Sequence, residues 1–597
     1  MNSNYKKILF YVLMILCTRA LATHNRAGEI LYKRIVPFTS ANGTPVYTYS
    51  ITLITYTDHG PNIADRCADT LYFGDGTKAI VPRSNSSTLT CQGCTNCGEL
   101  ISTDPSYLVK KNIYTCVHTY PTQAPATYTV YTIDSYRNTG VHNIPNSDQE
   151  AFSIESVIFT NPILAFNSSP VLTKLPIDRA IVNQCFYHNV SAYDADGDSL
   201  SYEIVPCMSG PNQSVPGYFF PETGVNGSFA IDSITGLLSW CVPQLSDQYN
   251  IAIRVKEWRQ LYCNSPYYLI GSVERDMQVI VDASPPITFS TSSAFPDACV
   301  AAGTNFSKTF SMTATSSYSA SPAVSFSVSL QGAAANIINL PVATLSNTSG
   351  TSSLSTTLSW QTNCKQAQRQ PYEIELLYLS SNGLAQFYKQ FSLKILPSQP
   401  TIYNVVSDTS IVTLYWDKLN ACLPNLRGYY IYRKVGPNSW THGPCENGVP
   451  LSSGFQLLDY RPATDSSYSD ANLWLVPTGS TVNYIVTTSL DDCTESFADH
   501  VETLSVIVGI KNESLAYAVA QVFPNPFSDF LNVVLNENYN GKAESSIYSV
   551  DGSLVFKTSS LAEQGKFGLE LNNFKPGVYT LQIKTSQGIF YRKLIRD

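Results

Sequence analysis

Three aspartates within five residues form the main group of candidate metal ligands in the chain. Asp194, Asp196 and Asp198 alternate with Ala195 and Gly197. Calcium takes six to eight hard oxygen ligands, and clustered carboxylates together with turn carbonyls can supply several of them. An EF-hand does not fit, because a loop that starts at Asp194 has its glycine two places too early. An Asx-rich turn between strands explains the same residues, so the pattern leaves calcium binding and a plain turn as alternatives.

The histidines do not form a recognisable catalytic or metal-binding pattern. The sequence contains neither His-Glu-x-x-His nor Gly-x-Ser-x-Gly, which excludes two common classes of hydrolase. A Cys–His pair, or two carboxylates brought together by folding, stays open because such sites are spatial. We therefore expect a non-enzymatic protein, and the alternative is a secreted hydrolase that acts on polysaccharide or protein.

The N-terminus predicts a secretory signal peptide over residues 1–22. Lys6 and Lys7 precede a short apolar run, and Ala20 and Ala22 provide a small-residue cleavage site. A lipoprotein signal is the alternative because the run contains Cys17, but a leucine stands before that cysteine where a small residue is expected. No later stretch reaches the roughly 18 apolar residues of a membrane helix. We expect an exported chain without a transmembrane span.

The charge of the chain excludes another class of partner. The 597 residues include 37 basic and 45 acidic side chains, a net charge of −8, and the basic residues do not cluster. A nucleic-acid binder needs a basic face that replaces the counterions of phosphate. We therefore expect no nucleic-acid partner.

The cysteines predict disulfides. After Cys17 is set aside, 14 of the 15 cysteines remain, and an exported protein meets oxidising conditions. The spacing of Cys91, Cys94 and Cys97 would suggest a shared metal in a cytosolic protein, but export favours disulfides. Cys299 and Cys364 are disulfide candidates within one domain. The predicted domains 23–165 and 399–508 hold five and three cysteines. These odd numbers require free thiols, a misplaced boundary or one bridge between distant domains, and the first two explanations are preferred.

The secondary-structure pattern is that of strands throughout. Residues 46–56, 128–133 and 429–432 are rich in aromatic and β-branched side chains, and Asp-Gly and Asn-Gly turns separate such segments. This pattern predicts an all-β fold of tandem immunoglobulin-like antiparallel β-sandwiches. Composition shifts divide the chain into a signal peptide, four sandwiches, a linker and a last block: 1–22, 23–165, 166–283, 284–398, 399–508, 509–521 and 522–597.

The last block carries short motifs in a fixed order near the end of the chain. Its signal residues are Pro524, Asn525, Pro526, Asp551, Gly552, Pro576, Gly577, Tyr579 and Lys593. In order, spacing and terminal position these motifs resemble the type A C-terminal sorting domain of the bacterial type IX secretion system, a small β-sandwich found on exported proteins of Bacteroidetes. The resemblance implies that the type IX machinery is a partner and that the block is removed on export.

In the preceding part, residues 24–30, 71–76, 114–121 and 194–200 resemble segments that occur in this order in large surface proteins of gliding and related Bacteroidetes, and the likeness covers about residues 24–510. Residues 73–76, Phe-Gly-Asp-Gly, are similar to a structural turn of polycystic-kidney-disease-type modules. Residues 194–200 are similar to cadherin-like repeats, which carry calcium in such loops. Trp416 and residues 428–433 resemble a fibronectin type III module. These resemblances imply a location and an architecture, and no assigned chemistry.

The sequence therefore predicts a secreted or outer-surface protein with an adhesion role toward a surface, glycan or protein ligand, and a role in gliding is compatible with it. A structural stalk or filament subunit is a further alternative, which stable self-association would distinguish.

Overall fold

A computed structural model provides the structure of the protein. It describes residues 25–40, 42–43, 46–59, 66–85, 98–102, 108–121, 125–164, 166–261, 265–283, 287–316, 323–335, 341–381, 383, 385–407, 411–419, 426–471, 480–490, 494–498, 500–505, 521–535, 538–550, 552–586 and 588–596. Within these ranges the only helices are single 3-10 turns, and no helix is long and apolar enough to cross a membrane. The predicted all-β fold is confirmed.

Several predicted features lie outside the described residues. They are the signal peptide with Ala20 and Ala22, the linker before residue 521, Asp551, and the cysteines Cys17, Cys91, Cys94, Cys97, Cys263, Cys422 and Cys493.

The N-terminal body shows nineteen strands among its described residues. The first eight are β1 Asn25–Arg34, β2 Tyr47–Asp58, β3 Ala68–Tyr72, β4 Lys78–Pro82, β5 Glu99–Leu100, β6 Val109–Tyr120, β7 Ala126–Asp134 and β8 Phe152–Thr160, with a 3-10 turn at Ser147–Gln149. The next eleven are β9 Val171–Leu172, β10 Asp178–Ile181, β11 Phe186–His188, β12 Ala192–Tyr193, β13 Ser199–Val205, β14 Met208–Gly210, β15 Gln213–Ser214, β16 Ser228–Ile231, β17 Leu238–Cys241, β18 Gln248–Gln260 and β19 Tyr267–Asp282.

The boundary predicted at residue 165 does not separate two sheets. The long strand β19 pairs with β18, and it also pairs with β1 and β8 from the other side of that boundary, within one 14-stranded sheet. The ion pair between buried Arg275 and Glu29 ties β19 to β1. Composition shifts placed a break here, but pairing between distant strands joins the two halves into one body.

The middle module holds β20 to β28. Its elements are β20 Ile287–Ser290, β21 Ala298–Ala301, β22 Asn305–Ser316, β23 Ser325–Gln331, β24 Thr344–Leu345, β25 Ser349–Thr351, β26 Ser353–Gln361, β27 Tyr372–Ser380 and β28 Gln386–Leu396, with 3-10 turns at Ala333–Ala335 and Cys364–Gln366. Buried Phe310, Trp360 and Leu376 lie in its core, while the Ser and Thr residues of β22 alternate outward. The hydroxyl-rich stretch is thus the outer face of ordinary half-buried strands.

The penultimate module packs two sheets face to face. Its strands are β29 Ile402–Ser407, β30 Val412–Trp416, β31 Gly428–Val435, β32 Gln456–Pro462, β33 Ser467–Asp470, β34 Thr481–Ser489 and β35 Glu502–Ser505, with a 3-10 turn at Leu451–Ser453. Trp416 from the sheet β29-β30-β33 contacts Tyr429 from the sheet β32-β31-β34-β35, with ring centroids 5.4 Å apart. This is the core arrangement of a β-sandwich.

The C-terminal domain is a second small sandwich. Its strands are β36 Gln521–Phe523, β37 Phe530–Val534, β38 Gly541–Ser549, β39 Leu554–Ala562, β40 Lys566–Glu570, β41 Gly577–Thr585 and β42 Gly588–Arg596. They form the sheets β36-β37-β40 and β39-β38-β41-β42. Leu531 and Val533 of the first sheet share a core with Ile547 and Leu581 of the second.

Two disulfides lie entirely within the described residues. Cys185 pairs with Cys241 inside the N-terminal body. Cys299 pairs with Cys445, so this bridge joins the middle module to the penultimate module.

The remaining described cysteines are either bonded or free. Cys67 and Cys364 are also disulfide-bonded, and Cys364 is not the partner of Cys299. Cys116 and Cys207 are free. Free thiols, one of the preferred explanations of the odd cysteine counts, are thus present. The Cys299–Cys445 bridge joins two neighbouring modules and was not predicted, because this contact depends on how the two modules meet.

The N-terminal body and the middle module meet through buried polar contacts. The Ser191 hydroxyl lies 2.6 Å from both carboxylate oxygens of Glu375. The side chain of Gln370 donates a hydrogen bond to the Ser199 hydroxyl at 2.5 Å. Since Ser191 and Ser199 flank the loop of residues 194–198, this contact surface also positions the candidate metal ligands.

Candidate metal centre

The aspartate loop connects β12 to β13 and is held by its own first residue. Oδ1 of Asp194 accepts the backbone N–H groups of Asp196 at 2.9 Å and Asp198 at 3.0 Å. Gly197 lies between the last two aspartates with φ of +82°, a conformation that glycine adopts without steric cost. The Asx turn that the sequence offers as the alternative to a metal site is therefore present, and it leaves the second oxygen of Asp194 uncommitted.

The turn brings the three predicted carboxylates together. One oxygen from each of Asp194, Asp196 and Asp198 lies within 4.8 Å of the others. Asp194 and Asp198 are buried, and Asp196 is exposed. Oδ2 of Asp194 is buried and has no hydrogen-bond partner. A buried carboxylate oxygen without a donor is costly, and a bound cation would satisfy it.

Neighbouring segments fix the other two carboxylates. The guanidinium of Arg259 donates to both oxygens of Asp198 at 2.8 and 2.5 Å. The same guanidinium donates to the Leu164 and Phe166 carbonyls. Oδ2 of Asp196 accepts the N–H of Ser168 at 2.7 Å. The segment that precedes β9 therefore wraps the loop and pre-forms its geometry.

A fourth carboxylate, which sequence reasoning missed, lies in this environment. Glu257 on β18 is fully buried, and its Oε2 accepts from the Tyr32 hydroxyl at 2.9 Å and the Asn167 amide at 2.6 Å. Its Oε1 has no partner. Burial raises the pKa of Glu257 well above its ordinary value, and the negative charge of Asp194 adds to this. Glu257 lies in a strand with an ordinary alternating pattern, and nothing in the neighbouring sequence marks it as part of a candidate metal centre.

Electrostatics favour a cation at the loop. Burial raises the pKa of Asp194 to about 7, and the charge of Asp198 acts in the same direction. Desolvation of its carboxylate within the loop also raises the pKa of Asp196, although part of the residue faces solvent. Arg259 supplies one positive charge against these carboxylates. The donor set consists of hard oxygens, as calcium requires, and Asp194 Oδ2 together with Asp196 would hold the ion.

Two cavities lie against the loop. A cavity of about 130 Å³ at the contact with the middle module is lined by Asp194, Asp198, Glu373, Glu375 and several tyrosines. A second cavity of about 180 Å³ is lined by Asp196, Asp198, Trp258 and arginines that include Arg259 and Arg369. The loop is therefore reached from two sides.

The described histidines do not pair with a nucleophilic side chain, and His118 and His188 contact aspartates instead. His118 Nε2 lies 2.8 Å from Asp75 of the Phe-Gly-Asp-Gly turn, and its ring stacks on Phe73 at 3.9 Å. His188 is buried against Asp178, and burial lowers the pKa of this histidine to about 4. Within the described residues no histidine side chain bonds a serine, threonine or cysteine side chain. Neither pair forms a nucleophilic dyad.

The free thiol of Cys116 is not activated either. Burial raises the pKa of Cys116, so the thiol stays protonated at neutral pH.

Several of the predicted sorting residues make defined contacts within the described part of the C-terminal sandwich. Asn525 donates its side-chain amide to the Lys593 carbonyl at 2.8 Å. Pro524 and Pro526 flank Asn525, each after a cis peptide bond. The Tyr579 hydroxyl donates to the Lys575 carbonyl at 2.8 Å, which closes the turn that contains Pro576 and Gly577.

Comparison with known proteins assigns the last domain. Residues 521–597 match the family described as secretion system C-terminal sorting domain, so the chain carries such a domain there. No curated protein matches the chain in sequence.

Several solved structures resemble the chain at low identity. The FN1–FN3 domains of chicken CNTN1 share 9% identity, with a TM-score of 0.17 and coverage of 52% of this chain and 97% of that one. Extracellular domains 3–5 of Drosophila OTK share 11%, with a TM-score of 0.18 and coverage of 58% and 99%. The D1–D4 ectodomain fragment of ICAM-5 shares 9%, with a TM-score of 0.19 and coverage of 70% and 97%. These likenesses are too distant to carry a functional argument.

Proposed function

We propose that this multidomain β protein, exported by the type IX secretion system, acts as a non-enzymatic adhesin at the cell surface or after release. The match of residues 521–597 to the sorting domain carries the proposal, because it directs the preceding modules out of the cell. Loops at the ends of sandwiches are where such modules present contacts to a surface, glycan or protein ligand. Gliding is the motility that this adhesion would support.

The state of the titratable groups supports a binding role over catalysis. His118 and His188 pair with aspartates, and the Cys116 thiol is held protonated. A nucleophile paired with a base, the minimum for covalent hydrolysis, is not seen among the described residues.

A secreted hydrolase is the second candidate, and one observation favours it. The cavity beside the aspartate loop gathers four carboxyl groups, and burial raises the pKa of both Asp194 and Glu375 to about 7. Glycosidases use a pair of carboxyl groups, one of them with a raised pKa, but they hold the two pKa values apart, whereas those of Asp194 and Glu375 coincide. The cavity measures about 130 Å³, however, well below the roughly 300 Å³ at which ligand pockets begin. This size favours adhesion.

Calcium at the aspartate loop is part of the proposal. A bound ion would satisfy Asp194 Oδ2 and would hold a loop whose two ends contact the middle module. Such an ion would make the arrangement of the N-terminal body and the middle module more rigid, without taking part in any reaction.

Attachment of whole cells tests the adhesion proposal. A deletion strain should attach to glass and to glycan-coated surfaces several-fold less than the parent, and a plasmid copy of the full chain should restore attachment. A copy with Glu375→Gln, which removes one of the two candidate acids and leaves the aspartate loop intact, should restore it too. Normal attachment by the deletion strain would contradict adhesion, and polysaccharide cleavage by the purified chain that the Glu375→Gln variant loses would favour the hydrolase.

A further inference from the structure

The four-stranded sheet of the C-terminal domain has two edges, and one of them is covered. On β42, Asn525 accepts the N–H of Ile595 at 2.8 Å and donates to the carbonyl of Lys593 at 2.8 Å. The N–H of Phe527 donates to the Ile595 carbonyl at 2.8 Å. The segment of predicted sorting residues 524–526 thus occupies backbone groups that an exposed edge would offer to another chain.

The opposite edge, β39, is open. In the described part of the chain β39 pairs only with β38. Leu554, Val555 and Leu561 are 52%, 46% and 69% exposed, and Lys557 is the one charged side chain of the strand. Proteins usually protect an exposed sheet edge from pairing with another chain by short strands, prolines or several charges. At nine residues, β39 is longer than the edge strands β36 and β40 of the other sheet, which have three and five.

A groove adjoins this open edge. Its volume is about 510 Å³, and its lining includes Val555 and Phe556 of β39 together with Phe574 and Tyr579. The ring of Phe574 contacts those of Phe527, Phe556 and Tyr579, with centroids 5.9, 5.9 and 5.1 Å apart. Tyr579, a predicted sorting residue, therefore lines the groove, and buried Phe527, which follows the predicted sorting residue Pro526, packs against Phe574 without lining it.

We propose that β39 is the edge at which a protein of the export machinery adds an extended strand, with one of its apolar side chains in the groove beside Phe574. The unpaired N–H and carbonyl groups of an edge recognise another extended backbone, and an adjoining pocket selects the side chain. The opposite charges of Glu570 and Lys575, which both line the groove, offset each other, and this suits an added strand without net charge. The proposal rests on the sorting role of the domain and is independent of adhesion.

Consecutive residues of an antiparallel strand direct their N–H groups to opposite sides. Of Ser559 and Ser560, one therefore donates to β38 and the other faces the open edge. Proline removes an N–H group and is tolerated on an edge strand where that group faces outward. We would make Ser559→Pro and Ser560→Pro in the full chain, with Ser559→Ala and Ser560→Ala as matched controls. The variant that keeps the wild-type melting temperature identifies the outward position.

The readout is the amount of chain at the cell surface and in the medium of the producing bacterium. The amount of the outward proline variant in these fractions should be at least tenfold lower than that of the wild type, and the variant should accumulate in the periplasm. Its alanine control should be exported normally. Wild-type export of the outward proline variant overturns the proposal. If both proline variants melt early, a Leu554→Glu, Leu561→Glu double variant makes the same test, with fully exposed Leu451→Glu as its control.

Two controls distinguish failure of the sorting role from self-association at β39. Deletion of residues 522–597 should abolish export; if the truncated chain is still exported, the sorting role itself fails and the proposal falls with it. Light scattering measures the oligomeric state of the purified chain. A wild-type dimer that the outward proline variant converts to monomer, with export unchanged, would assign β39 to self-association and overturn the proposal.

Discussion

Glu375 makes the contact between the N-terminal body and the middle module sensitive to pH. Its carboxylate is fully buried and accepts from the Ser191 hydroxyl at 2.6 Å. Burial raises the pKa of Glu375 from its ordinary value of 4.5 to about 7, although the Ser191 bond opposes this. Glu375→Gln keeps the shape and an acceptor oxygen and removes the charge, so it isolates the cost of the buried carboxylate.

The magnitude follows from the two pKa values. Each pKa unit corresponds to about 1.36 kcal/mol, so the rise from 4.5 to about 7 corresponds to about 3 kcal/mol. Because the folded state holds the proton more tightly, this contribution is fully present below pH 4.5 and is lost as the pH rises through 7. We expect Glu375→Gln to raise the free energy of unfolding by up to about 3 kcal/mol at pH 8 and to leave it nearly unchanged at pH 4.5.

Urea denaturation of the full chain at pH 4.5 and pH 8 measures this difference. Tryptophan fluorescence follows the transition, since Trp360 is buried in the middle module. The exposed Glu563 provides the control, and Glu563→Gln should change stability equally little at both pH values. A Glu375→Gln effect that is the same at pH 4.5 and pH 8 would refute the assigned cost of burying the charge.

Three further predictions concern other parts of the chain. Calcium at one hundred times its dissociation constant should stabilise the chain by about 2.7 kcal/mol in thermal melts, and Asp194→Asn should remove that gain; an equal gain in the variant would contradict the site. The Cys299→Ser, Cys445→Ser double variant opens a bridge of sequence separation 146 and should lose up to about 5 kcal/mol in urea denaturation, whereas unchanged stability would show the link to be dispensable. Asn525→Ala removes two hydrogen bonds to β42 and should cost the C-terminal domain about 2 kcal/mol, measured by hydrogen exchange of β42 amides; wild-type protection there would contradict the edge-covering role.

The strands and their turns were accessible from sequence because their signals are local. Residues 46–56 are rich in aromatic and β-branched side chains with partial alternation, and β2 spans Tyr47–Asp58 with alternate residues buried up to Leu53 and every residue buried from Leu53 to Thr57. Predicted segments 128–133 and 429–432 lie within β7 and β31. The sorting motifs were equally readable, since their residue types and order are fixed by turns and edge contacts within about 80 residues.

Features that depend on contacts between distant segments were not accessible. The union of both halves of the N-terminal body depends on β19 pairing with β1 from the far end of that body. The partner of Cys299 depends on how two modules meet.

The candidate metal centre shows the same division. The turn at Asp194 is local and was predictable, whereas buried Glu257 arrives from the later strand β18 with an ordinary alternating pattern. The two uncommitted carboxylate oxygens, one on Asp194 and one on Glu257, are visible only after folding.

The central claim is that the chain is exported with the help of its C-terminal domain and works outside the cell. The most direct measurement is the location and mass of the mature protein, obtained by fractionating the producing bacterium and recording mass spectra of the surface and medium fractions. We predict a chain outside the cell that lacks residues 1–22 and the block after about residue 515. An intact C-terminus on a periplasmic protein would contradict the account.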